Sequence, residues 1–148
     1  MVFEELFIES KGKPVQYKGI TVRMMDEIPI SDSAIIRIEF ELANSEWRQG
    51  ISLTTVGTFD VGGRKIKQGI ALWYDTAPKV IELNVKSKSG ILQVKNIWDV
   101  GDGVVHSWHN GAAIIVSVDG TRRRYQCNDG HEDDDFDDLV FALTVIES

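Results

Sequence analysis

Seven of the ten residues from Asp129 to Asp138 carry carboxylates: Asp129, Glu132, Asp133, Asp134, Asp135, Asp137 and Asp138. The whole chain holds 23 Asp and Glu against 16 Lys and Arg, so the formal net charge of −7 belongs to this one stretch. Like charges crowded together repel, and a bound cation is the simplest means of holding them on a folded domain. The donors are all oxygens, which points to calcium, an ion that takes about six to eight oxygen ligands from carboxylates, carbonyls and water. The preferred ligands are Asp129, Asp135, Asp137 and Asp138, with Asp133 next. Flanking strands would fix the first and last of them and reduce the entropy lost on binding. An EF-hand is excluded: with Asp133 as its first position, the required glycine falls on Asp138 and the bidentate glutamate on Thr144. The plain alternative is a solvated acidic loop that maintains solubility. Two aspartates abutting an apolar strand, and Phe136 inside the run, argue against it.

A second polar cluster runs from His106 through Ser107, Trp108, His109 and Asn110 to Gly111. Asn110 could supply an oxygen ligand, and Trp108 or Trp98 could stack on a sugar face, so Trp108, His109 and Asn110 are candidate ligand-binding residues. The alternative is a turn with a packed tryptophan. Zinc spacing is present in His106/His109 and Cys127/His131. On a strand, however, His106 and His109 point to opposite faces, and a lone cysteine is more often a small buried apolar residue. No nucleophile signature surrounds Cys127, and a glycosidase carboxylate pair would need a substrate cleft.

The elements that must position these groups read as strands. Ile36, Ile38, Phe40 and Leu42 alternate with Arg37, Glu39 and Glu41, and Ile81, Leu83 and Val85 alternate with Glu82, Asn84 and Lys86. Further strands are predicted at 4–9, 21–25, 51–59, 70–74, 92–98, 104–108, 112–118, 122–127 and 139–146. Asp119-Gly120 is a hairpin turn, since a type I′ turn needs positive φ at both central positions. That hairpin would bring the His109–Gly111 turn and the Asn128–Asp138 loop to one end of the molecule. Residues 139–145 are apolar at nearly every position and predict a central strand covered on both sides. The expectation is one all-β domain over residues 1–148, an antiparallel β-sandwich or jelly roll.

Composition narrows the function classes. No run of 18 apolar residues exists, so no membrane span is expected. The N-terminal residues lack a secretory signal, which makes the cytoplasm the default location. One cysteine excludes an internal disulfide and fits a reducing compartment. Net acidity disfavours nucleic acid as a partner. Arg122-Arg123-Arg124 reads as a solvated strand edge or a counter-charge to the acidic loop.

Asn128-Asp129, nine residues and then a closing apolar strand resembles the calcium loop of the small bacterial galactose-binding soluble lectins. The resemblance covers about 20 residues. It implies a β-sandwich whose calcium binds sugar hydroxyls directly, with Asp129 matching the family's first aspartate and Asp137 and Asp138 its adjacent pair. The loop differs by one residue in length and has aspartates where that family has asparagines. The string from Asp135 to Phe141 is also similar to the Asp-rich, strand-leading motif of several bacterial extracellular β-modules. The expected function is a calcium-binding recognition module with carbohydrate as its ligand. A structural module with a loop-stabilising calcium is the alternative, and a metal-dependent hydrolase a third.

Overall fold

Alternating sequence becomes alternating burial. In the computed structural model, which describes residues 3–107, 111–130 and 135–147, one short helix precedes eleven strands. They are α1 (Phe3–Glu9), β1 (Val15–Tyr17), β2 (Ile20–Val22), β3 (Asp26–Pro29), β4 (Ser33–Ala43), β5 (Arg48–Val61), β6 (Arg64–Trp73), β7 (Val80–Ser87), β8 (Ile91–Asp99), β9 (Ala113–Asp119), β10 (Arg122–Asn128) and β11 (Leu139–Glu147). Ala34, Ile36, Ile38 and Phe40 of β4 are buried, with half-buried residues between them. The pattern then slips. Val140 pairs with Leu42 but Phe141 with Phe40, so Glu41 is an extra residue in β4. This bulge turns Leu42 out to 43% exposure, although its spacing predicted an inward face.

β1 and β2 form a hairpin, and nine strands share one sheet in the order β3-β8-β5-β7-β4-β11-β10-β9, with β6 joined to β5. Every described pairing is antiparallel, so the all-β class stands. The sheet rolls toward closure. Arg23, just after β2, exchanges two backbone hydrogen bonds of 2.8 Å with Ile114 of β9. Asp26 of β3 accepts hydrogen bonds from Tyr125 Oη at 2.7 Å and Arg123 Nη1 at 3.1 Å, both on β10. β5 makes the corner: Arg48–Thr54 pair with β8, and Gly57–Asp60 pair with β7. At the switch, Gly57 lies so near β7 that an added Cβ would sit 1.7 Å from the Lys86 carbonyl oxygen. Among the described residues no helix is long and apolar enough to cross a membrane.

β11 is the central strand its composition predicted. Leu139, Phe141 and Leu143 face the main core, and Val140 and Ala142 on the other face are buried as well. The Tyr125 ring stacks on Phe141 with centroids 4.6 Å apart. Burial chiefly, and then the Asp26 carboxylate beside it, push the Tyr125 phenol well above its ordinary 10.0. The neutral phenol's contribution is complete below that ordinary value. It falls as pH rises further, because the unfolded chain loses the proton first. Stability should therefore decline above about pH 10, and Tyr125→Phe should flatten that decline in denaturant titrations.

A smaller core gathers Phe3, Phe7, Val22, Ala113 and Phe136. Here two predicted strands are corrected. Residues 3–9 form a helix, because Phe3 and Phe7, four apart, share one helical face and bury together. Residues 104–107 contribute only an isolated bridge, His106 to Trp98, rather than a strand.

Candidate metal centre

The acidic stretch spans the gap between β10 and β11. Cys127 pairs with Leu139, which sets the two feet of the loop, Asn128 and Asp138, side by side. Both are buried. Asn128 Oδ1 accepts the Phe136 N–H at 2.7 Å, and its backbone carbonyl accepts Asn96 Nδ2 at 2.9 Å. The Asp129 N–H donates to Asp138 Oδ2 at 3.0 Å, closing the feet on each other. Outside the loop, the Asn44 N–H donates to the Asp138 carbonyl at 3.0 Å.

Phe136 fastens the middle. Its φ of 55° is left-handed, a conformation costing about 1–2 kcal/mol for a residue with a side chain. Its ring is 5% exposed and meets Phe3 of α1 at 5.8 Å between centroids. Burying such a ring contributes about 1.5–3 kcal/mol, enough to offset the strain. The turn at Phe136 is thus held by α1 above and Asn128 below.

Three carboxylates converge on this turn. One oxygen each from Asp135, Asp137 and Asp138 lies within 4.8 Å of the others. Asp135 is exposed, Asp137 half-buried and Asp138 buried. Asp137 Oδ2 accepts Asn44 Nδ2 at 2.9 Å. Asp137 Oδ1 is buried and has no hydrogen-bond partner among the described residues. An acceptor removed from water without a donor carries its full desolvation cost, about 1–3 kcal/mol and more when charged. A cation would satisfy it.

The Asp129 carboxylate is not part of this cluster, although its N–H bonds Asp138. It is fully buried, and its Oδ2 accepts Ser45 Oγ at 2.6 Å and Gln49 Nε2 at 2.9 Å. The Gln49 amide also donates to the Trp47 carbonyl at 3.2 Å, so two acceptors fix which end is the NH2. Asp129 therefore ties the loop to the connection between β4 and β5. The next residue, Gly130, fits against two indoles: an added Cβ would lie 3.0 Å from Trp98 and 3.3 Å from Trp47. Trp98 is 2% exposed and stacks on His106, which removes it as a platform for sugar.

Asp133, Trp108, His109 and Asn110 lie outside the described residues. The hairpin that brings their segments together is present, but its turn is Gly120-Thr121 rather than Asp119-Gly120: Asp119 pairs with Arg122, only Gly120 has a positive φ, and Ala113 lies opposite Asn128. The start of β9 and the acidic loop accordingly share one end. Cys127 is fully buried, and burial first, then the Asp138 charge, push its thiol upward. A thiol held neutral suits neither a nucleophile nor a zinc ligand. Sequence reasoning missed Asn44, Ser45 and Gln49. They lie 80 or more positions from the loop, and only the pairing of Ala43 with Leu139 brings them to it.

The fold and the loop together define an all-β protein with a triple-aspartate cluster at one end of its rolled sheet. No protein-family model, curated protein or solved structure matches the chain.

Proposed function

We propose that this protein is a calcium-binding recognition module, with Asp135, Asp137 and Asp138 holding the ion. The observation that carries the reading is Asp137 Oδ1, a buried carboxylate oxygen without a donor among the described residues, in a cluster of two further carboxylates. An all-oxygen donor set favours calcium over zinc, and an irregular loop favours it over magnesium, which demands near-octahedral order. Carbonyls and water complete the shell. Asp135 is exposed, so the ion has a solvent side. There a vicinal diol of a carbohydrate can replace water. The corner in β5 supports a sandwich-like arrangement in which two halves of the rolled sheet face each other.

The burial of Phe136 against α1 favours a second reading, in which the ion serves only to hold the loop for assembly. Calcium at about 100 times its Kd should add about 2.7 kcal/mol and raise the melting temperature. Asp137→Asn should remove most of that gain. No calcium-dependent shift at millimolar concentrations would end the metal proposal. If calcium stabilises the protein, a glycan array with and without chelator separates the two readings: chelator-sensitive sugar binding supports recognition, and its absence supports the structural role.

A further inference from the structure

Midway along β5, where it leaves β8 for β7, the outer face of the sheet is notched. Glu27 of β3 pairs with Gln93 of β8, Gln93 with Thr54 of β5, and Thr54 with Gly69 of β6. Directly paired residues of antiparallel strands present their side chains on the same face. Glu27, Gln93 and Thr54 therefore form a polar row, which ends at Gly69 where no side chain fills the space. Four strands at about 4.8 Å spacing make this row about 14 Å long.

Against β6, β5 bulges between Thr54 and Thr58, and this bulge supplies one wall of the notch. Val56 is 58% exposed there, and Ile91 on β8 is 39% exposed. Behind them the backbone is held firmly. Thr55 Oγ1 lies 2.7 Å from Ser87 Oγ and 2.8 Å from the Ile91 carbonyl, and both hydroxyl residues are buried. Ser89 and Gln68, the latter with φ of 68°, complete the lining. A left-handed glutamine is costly, and such strain persists only where surrounding structure enforces it. The resulting cleft has a volume of about 380 Å³, within the range of small-ligand pockets, about 300–1,000 Å³.

The lining chemistry selects the ligand. Among the described residues no lysine or arginine lines the cleft, and Glu27 is its only charge. Phosphates and carboxylates would meet no cation and one anion. Gln68, Gln93 and Glu27 offer planar groups that pair with adjacent hydroxyls, each of which both donates and accepts. Val56 and Ile91 offer an apolar surface for C–H groups. We propose that this cleft is a second ligand site, one that binds a neutral oligosaccharide without calcium. Gln49 and Thr55 are six residues apart on one strand, so the cleft lies about 20 Å along β5 from the Asp129 anchor. The proposal does not rest on the metal reading.

The test is a neutral-glycan array probed with the full chain in EDTA, followed by calorimetric titration of the best oligosaccharide. Binding should persist in EDTA and in Asp137→Asn. Gln93→Ala should weaken it about tenfold, the effect of one lost hydrogen bond. Val56→Asp should abolish it. Both side chains are exposed, so an unchanged melting temperature serves as the folding control. Gln68→Gly, which relieves the left-handed strain, provides a further variant expected to fold and to bind less tightly. Three outcomes overturn the proposal: no neutral glycan bound in EDTA, binding lost in Asp137→Asn, or binding unaffected by both Gln93→Ala and Val56→Asp.

Discussion

Asp129→Ala is expected to lower stability by about 3–5 kcal/mol. A hydrogen bond to a charged group contributes about 1.5–3 kcal/mol, and a donor left buried without a partner costs about 1–3 kcal/mol. The Asp129 carboxylate serves two such donors, the Ser45 hydroxyl and the buried Gln49 amide. Removing it takes the acceptor from the Ser45 hydroxyl, leaves the Gln49 amide only the Trp47 carbonyl at 3.2 Å, and opens space beside them. Asp129→Asn, which keeps the shape and one acceptor oxygen, should cost less than half as much. Urea unfolding of the three proteins measures the difference. A cost for Asp129→Ala below about 1 kcal/mol would show that the loop is anchored elsewhere.

Gly57→Ala should be comparably severe, about 4 kcal/mol, for a steric reason. The added Cβ would lie 1.7 Å from the Lys86 carbonyl oxygen and 2.8 Å from its carbon, both backbone atoms. No rotamer change can relieve a clash with backbone. β5 and β7 would have to separate where β5 leaves β8, and overpacking of this kind costs about 1–3 kcal/mol even where side chains can move. The denaturant midpoint should fall with little change in slope. A variant as stable as the parent would mean that β5 and β7 do not meet at Gly57.

The sequence made much of the sheet legible because burial is periodic. β4, the β9–β10 hairpin, the central β11 and the buried Cys127 all follow from alternation, a turn dipeptide or apolar content. What it concealed depends on contacts distant in the chain. α1 is only seven residues long, too short to be stable alone, and its helical form comes from packing Phe3 and Phe7 against Val22 and Phe136. Leu42 departs from its pattern because a bulge is set by the partner strand, not by local composition. At the acidic loop, charge and proximity to the strands point to Asp129, Asp133, Asp135, Asp137 and Asp138, of which Asp135, Asp137 and Asp138 cluster. That the Asp129 carboxylate is bonded to Ser45 and Gln49 rather than joined to their cluster follows from the pairing of β4 with β11, which no local pattern encodes.

That pairing also sets an order of events during synthesis. β11 lies between β4 and β10, and Phe141 pairs with Phe40 about a hundred residues earlier. Until β11 leaves the ribosome, the block that ends at β4 and the β9–β10 hairpin each present an unpaired strand edge. The segment that joins them is itself an apolar stretch with strong tendency to pair with other strands. The nascent chain must keep two edges and their complement apart from other molecules until all three are present. Closure through so distant a contact belongs to the slow class of single-domain folding, milliseconds to seconds. A chaperone that shields strand edges would therefore assist this chain most in the interval between the completion of β10 and the docking of β11.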